Sequence, residues 1–218
     1  MKVALIGAAG NVGSKILKEA LDRGHQVTAV VRRPEALPSH PNLTARKAEV
    51  SDTDDLAEAL KGHEAVICSF SPGIQTPDDQ IHDQYVAAFR SIHEAVKRAG
   101  VTRYLAVGGA ASLKTADDVE LLNSPEFPAE FEAFRGGIGG TRAQYYLLKE
   151  QPELDWVFLA PSIWLRPGER TGAFRLGKDH VLYDADGRSH ISQEDFSMAM
   201  IDELERPAHH RERFTVGY

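Results

Sequence analysis

The stretch KVALIGAAGNVG, residues 2–13, decides the fold. Its first half is a short apolar run of strand type. Its second half places glycines at 7, 10 and 13, and an amphipathic pattern follows at once, with Ile16, Leu17, Ala20 and Leu21 on one stripe and Gly24 as its C-cap. A second apolar run, QVTAVV at 26–31, completes a strand–turn–helix–strand unit.

The same rhythm continues outward. Strand patterns recur at LTARKA (43–48), AVICS (65–69), RYLAVG (103–108) and WVFLA (156–160). The central runs are apolar throughout, as in a parallel sheet covered on both faces. Asp52 with Asp55 marks a capped helix start before LAEAL, and residues 79–99 read as a longer helix closed by Gly100. The fold class is α/β: a Rossmann-like doubly wound parallel sheet with right-handed crossovers. After residue 160 the rhythm changes. RTGAFRLG and HVLYDADGRSHI read as short strands around an Asp186–Gly187 turn, Ser192 with Asp195 as a capping box, QEDFSMAMIDELE as a helix ended by Pro207, and FTVGY as a last strand. The expectation is one domain over 1–218, with 161–218 contributing a small substrate-side lobe.

Composition narrows the function classes. The 218 residues are 42% hydrophobic and 26% charged, which is ordinary for a soluble globular chain. A net charge of -7 argues against a nucleic-acid partner. The single cysteine, Cys68, excludes an internal disulfide framework and fits a reducing cytoplasm. The apolar start is too short to span a membrane and lacks a signal-peptide cleavage pattern. Nine histidines show no zinc-like spacing, so no metal is expected. Oligomeric state has no signature in the sequence.

A glycine turn between a first strand and a first helix is suited to a pyrophosphate. The backbone can approach the anion closely, and the free N–H groups of the helix start point at it. Gly7, Ala9, Gly10, Asn11, Val12 and Gly13 are therefore assigned to a dinucleotide. After the second strand, where an NAD enzyme often carries an acidic residue for the ribose diol, this chain has Arg32 and Arg33. Guanidinium groups pair with a 2′-phosphate, which favours NADP(H) over NAD(H); two solvated arginines are the plain alternative. Asp52 is a candidate for the adenine pocket, with a plain helix N-cap as the alternative; the two roles are compatible. The segment from Ser69 to Gly73, after the fourth strand, is expected to pass over the cofactor, with Ser69 and Phe70 as its assigned contacts, and Gly108 and Gly109 after the fifth allow a ring to come close.

At this point GAAGNVG, VVRRP, VGGAASL (107–113), LDWVFLAPS (154–162), PGERTG (167–172) and the tail from Ile191 together resemble an atypical short-chain dehydrogenase/reductase of the NAD(P)H-binding family. That group includes provisional NADH-flavin reductases and is similar to biliverdin reductase B. The resemblance spans nearly the whole chain and implies a Rossmann fold and a reduced nicotinamide cofactor.

In that wider family a Tyr-x-x-x-Lys pair does acid–base work, and QYYLLK supplies the spacing with Tyr145 and Lys149. Their distance from the next strand argues against the role. Tyr145 stands ten residues before Asp155, where the family's tyrosine would fall about twenty before it. A bland pattern explains the segment instead. RGGIGG breaks the helix with four glycines, Thr141 and Gln144 form a capping box, and Tyr145 packs with Leu148 on the sheet.

Hydride transfer to a flat conjugated acceptor asks less of the protein than ketone reduction. Ser112 is the candidate hydroxyl near the nicotinamide, or a loop serine capping its own backbone. Phe131, Trp164 and Arg170 are candidates for the acceptor pocket, with core packing as the alternative for Trp164. The leading expectation is an NADPH-dependent reductase with a flavin or quinone as its small-molecule substrate. The alternatives are a non-catalytic NADP(H) redox sensor of the NmrA-like kind and an epimerase-like extended short-chain enzyme.

Overall fold

A computed structural model describes residues 1–73 and 77–218, the side chain of Asp78 excepted. The strands are β1 (Lys2–Ile6), β2 (Gln26–Val31), β3 (Leu43–Lys47), β4 (Ala65–Cys68), β5 (Arg103–Val107), β6 (Asp155–Pro161), β7 (Trp164–Arg166), β8 (Arg175–Gly177), β9 (His190–Ser192) and β10 (Glu212–Gly217). The helices are α1 (Asn11–Asp22), α2 (Thr53–Leu60), α3 (Asp78–Arg98), α4 (Arg135–Lys149) and α5 (Gln193–Glu205). The main sheet runs β3-β2-β1-β4-β5-β6-β10-β8. All its pairs are parallel except β10 with β8. The order reverses between β1 and β4, which leaves a crevice beyond their C-terminal ends.

Each central strand feeds two cores. Ala4 and Ile6 of β1 face one side, with Cys68, Tyr104 and Phe158, and are covered by α2, α3 and α4. Val3 and Leu5 face the other, with Leu105, Val157 and Phe214, and are covered by α1 and α5. This double burial is why the strands read as unbroken apolar runs. Gly24 and Gly100 adopt φ values of 80° and 73° and stop their helices as the sequence suggests. Among the described residues, no helix is long and apolar enough to cross a membrane.

Two expectations are corrected. First, α4 does not break at RGGIGG. It starts at Arg135 and runs through the glycines, after a 3-10 turn over Ala129–Phe134. A Cβ on Gly140 would collide with the Tyr85 ring of α3, and one on Gly137 would lie 3.4 Å from Ile81. The close packing of α3 on α4 thus offsets the helix cost of about 1 kcal/mol per glycine. Thr141 is not a cap; its hydroxyl donates back to the Gly137 carbonyl at 3.2 Å, and Gln144 is buried and donates to the Tyr104 hydroxyl at 2.9 Å. Second, the turn at Asp186–Gly187 forms but joins no hairpin. β8 pairs with β10, and β9 pairs with β7 in a separate two-stranded sheet. The chain between β8 and β9 is drawn away by bonds in both directions between Lys114 and the Asp179–Val181 segment. Residues 161–218 therefore add two strands and a helix to the main body and close the small sheet beside it.

His93 of α3 is 2% exposed, edge-on to Tyr104 at 5.3 Å, and both its ring nitrogens lack a hydrogen-bond partner among the described residues. Burial, with the nearby charges of Lys97 and Arg90, pushes its pKa down to about 3. As pH falls below 6.5 the unfolded chain takes up this proton and the folded chain does not, so stability is lost towards acid. In His93→Phe, the stability lost between pH 7 and pH 5 should shrink by about 2 kcal/mol, measured by urea unfolding at both values.

Candidate active site

The loop after β1 is shaped by contacts that only glycine permits. Gly7 has φ +80°, and a Cβ there would overlap the Ser69 carbonyl at the end of β4. A Cβ on Gly13 would overlap the Gly7 carbonyl, so α1 lies against the loop with no room for a side chain. Gly10 is different. Its N–H donates to the Gly7 carbonyl at 3.0 Å, and the one atom that its Cβ would approach is that same carbonyl oxygen, at 3.3 Å. Gly10 is the N-cap of α1, with no side-chain cap and no acidic residue in the first turn. Ala9, Gly10 and Asn11 are exposed, Val12 is half-buried and Gly13 is buried. The first-turn N–H groups and the positive end of the helix dipole thus face the crevice with no side-chain cap and no acidic residue in the helix's own first turn, which fits a pyrophosphate.

Arg32 and Arg33 stand exposed directly after β2. Asp52 caps α2 by accepting the Asp55 N–H at 3.0 Å. Ser69 donates its N–H to the Ile6 carbonyl at 2.9 Å, which extends the β1–β4 pairing to the loop. The ring of Phe70 turns inward, edge-on to Tyr85 and Phe89, so its backbone and not its ring borders the crevice.

Beyond the ends of β5 and β6 lies a cavity of about 350 Å³. Gly108 to Ala111 form one wall, Pro161, Ile163 and Leu165 another, and Ile138 and Thr141 of α4 a third. Phe127, Phe131 and Phe134 cover it. A Cβ on Gly108 would run into the Phe158 ring, and one on Gly109 would lie 3.3 Å from Thr141 Cγ2, so both glycines serve close packing at this wall. Ser112 is fully buried and outside the lining; its hydroxyl donates to the Gly109 carbonyl at 3.2 Å. It takes the capping role, not that of a hydroxyl facing the cavity.

Phe131 and Trp164 meet, ring centroids 4.6 Å apart, and form a partition. Phe131 lines the apolar cavity. Trp164 lines a larger groove of about 850 Å³ on the far side, with Glu126, Arg188, His190 and Tyr218. Arg170 reaches neither. It holds Glu19 of α1 through two bonds of 2.8 Å, and Arg23 holds the same carboxylate. These hydrogen bonds, Arg170 first, keep the Glu19 carboxyl below its usual range against the effect of burial. A buried carboxylate on α1 captures the guanidinium, so the acceptor role assigned to Arg170 is withdrawn. The rest of PGERTG is tied to α5. Asp195 accepts the N–H groups of Thr171 and Gly172 at 2.8 and 2.9 Å and the Tyr218 hydroxyl at 2.8 Å, while Ser192 caps the helix by accepting the Asp195 N–H.

Tyr145 lies on the inner face of α4, its ring 5.5 Å from that of Phe158, with the Arg213 guanidinium 4.5 Å over it. The Lys149 ammonium is 5.6 Å from the centre of the same ring. Neither residue lines the cavity; Thr141, one turn earlier, does. Sequence reasoning passed over Thr141, Ile138, Phe127 and Phe134. The available signal was spacing: Ile138, Thr141 and Tyr145 share a helix face, and Phe127, Phe131 and Phe134 recur at intervals of four and three.

Comparison with known proteins identifies the family. The NAD(P)H-binding family profile matches residues 7–207. The Bacillus subtilis protein YwnB is 38% identical over 219 residues, covering 99% of this chain and 98% of its own length. A Bacteroides thetaiotaomicron structure, provisionally named an epimerase, is 46% identical with a TM-score of 0.91, over 100% of this chain and 96% of that one. A Streptococcus pneumoniae structure, provisionally named an NADH-flavin reductase, is 31% identical with a TM-score of 0.83, over 100% and 99%. A glycine loop open to an anion at the switch point of a parallel sheet, together with a match over most of the chain, places this protein in the NAD(P)H-binding family, with an oxidoreductase-like Rossmann fold.

Proposed function

We propose that the protein is an NADPH-dependent reductase that passes hydride to a flat conjugated acceptor, a flavin or quinone, without a Tyr-Lys catalytic pair. The observation that carries this reading is the lining of the cavity at the ends of β5 and β6, which includes Phe131 and Thr141 but not Tyr145 or Lys149. The backbone from Gly10 to Gly13 would hold the pyrophosphate, and Arg32 and Arg33 the 2′-phosphate. The reduced nicotinamide supplies the hydride. The rings and glycines of the cavity orient the acceptor and exclude water, and a proton comes from solvent. Cys68, buried in β4, suits a reducing cytoplasm.

The provisional name of the Bacteroides relative favours a second reading, an epimerase. Hydride removal and return at a carbinol carbon requires a group that takes and gives back the hydroxyl proton. Thr141 and Ser112 both donate to backbone carbonyls, and Tyr145 lies outside the lining, which weighs against it. NADPH oxidation against a panel of flavins, quinones and tetrapyrroles tests the proposal. Tight cofactor binding with no turnover by any acceptor would retire it in favour of a sensor.

Three variants extend the test. NADPH should bind more tightly than NADH, and Arg32→Ala should remove about 1.5–3 kcal/mol of that preference; equal affinities in the unaltered protein would refute the arginine assignment. Gly10→Val should abolish dinucleotide binding in a folded protein, because its side chain would enter the space left for the anion; circular dichroism separates this from unfolding. Tyr145→Phe should change turnover only within a few-fold, whereas loss of a general acid would cost about 100-fold or more. Turnover at saturating acceptor, with cofactor affinity measured in parallel, decides between these.

A further inference from the structure

Among the described residues, the cavity at the ends of β5 and β6 has no charged side chain in its lining. Its two hydroxyls are engaged: Thr141 donates to the Gly137 carbonyl at 3.2 Å and the buried Ser162 to the Val216 carbonyl at 3.1 Å. Of the cations nearby in the fold, Arg166, next to Leu165, lies 4.5 Å over the Trp164 ring and lines the neighbouring groove, and three others are held by carboxylates and carbonyls. Arg135 pairs with Glu132 and the Leu122 carbonyl, Arg142 with Glu120, and Arg213 with Asp179 and the Ser112 carbonyl. An anionic substituent entering this space would lose its hydration and meet no countercharge among the described lining residues. At the rim Phe134 is left 64% exposed, an apolar edge where a site for phosphate or carboxylate would carry a cation.

Building on the reductase proposed above, we infer that the acceptor is an uncharged, flat conjugated dicarbonyl of the quinone type, and that flavin phosphates and carboxylate-bearing tetrapyrroles are excluded. The reaction balances as one quinone, one hydride from the reduced dinucleotide and one solvent proton, giving hydroquinone and the oxidised dinucleotide. The choice between acceptors is made by desolvation in the cavity, before any electrons move.

Titration calorimetry on the protein saturated with the oxidised dinucleotide, which fills the phosphate site at α1 and cannot reduce a quinone, reads this step apart from turnover. The probes are 2-methyl-1,4-naphthoquinone, 1,4-naphthoquinone-2-sulfonate and flavin mononucleotide. The neutral quinone should bind at least about tenfold more tightly than either anion. Phe134→Lys, at an exposed position where folding is preserved, should narrow or invert that ratio. Anions binding as tightly as the neutral ring would overturn the inference, and so would a ratio unmoved by Phe134→Lys. The reductase reading fails separately. Faster NADPH oxidation with flavin mononucleotide than with the neutral quinone sinks the inference and keeps the reductase. The predicted binding preference without NADPH oxidation keeps the cavity's selectivity and sinks the reductase.

Discussion

The contact between Gly13 and the Gly7 carbonyl sets the position of everything built on α1. Because no side chain fits there, the helix sits close on the end of β1 and points its uncapped first turn into the crevice. The same placement carries Glu19, two turns on, to a buried site on the far side of the helix. There it must be met by cations, and Arg23 and Arg170 supply them. Arg170 brings the PGERTG loop with it, and that loop is fixed in turn by Asp195 at the head of α5. A steric requirement of the phosphate loop is thereby transmitted, through one buried carboxylate, to the C-terminal part of the chain.

A second close approach sets the acceptor side. The glycines of RGGIGG let α4 lie against Tyr85 and Ile81 of α3. In that position Ile138 and Thr141 face the cavity, and the following turn faces Phe158 and Trp156. In this position the Tyr145 ring packs on Trp156 and Phe158 with the Arg213 guanidinium over it. Ordinary helix propensity predicts a break at this segment; tertiary packing overrides it.

The parts of this architecture that were legible in the sequence are those fixed within one strand–helix unit. The apolar runs, the Gly7–Gly13 contact of the glycine turn, the caps at Asp52 and Ser192 and the helix stops at Gly24 and Gly100 each depend on neighbours a few residues away. What could not be read depends on partners far along the chain. Arg170 looks like a ligand-binding residue in PGERTG until Glu19, 151 positions earlier, is seen to hold it. Ser112 follows β5 and Trp164 follows β6, but each is turned by a contact that no local pattern announces, Ser112 to the Gly109 carbonyl and Trp164 to the Phe131 ring. The β7–β9 pairing has only three residues per strand and too little pattern to announce itself.

The two ends of the crevice differ in the physical means they offer. At β1 and β2 these are backbone N–H groups and exposed arginines, suited to holding charge in the presence of water. At β5 and β6 they are aromatic rings, small residues and hydroxyls already bonded to the backbone. On the proposed reading this division is functional. A dinucleotide carries its negative charge on the phosphates, so anchoring it at β1 and β2 leaves the other end free of any charge that must be matched. Electron transfer between two flat rings then requires dryness and alignment more than acid–base groups, since a single proton can follow from solvent. A cavity built in this way gives up the ability to polarise an isolated ketone. In return it can select among conjugated acceptors by the charge they carry into it.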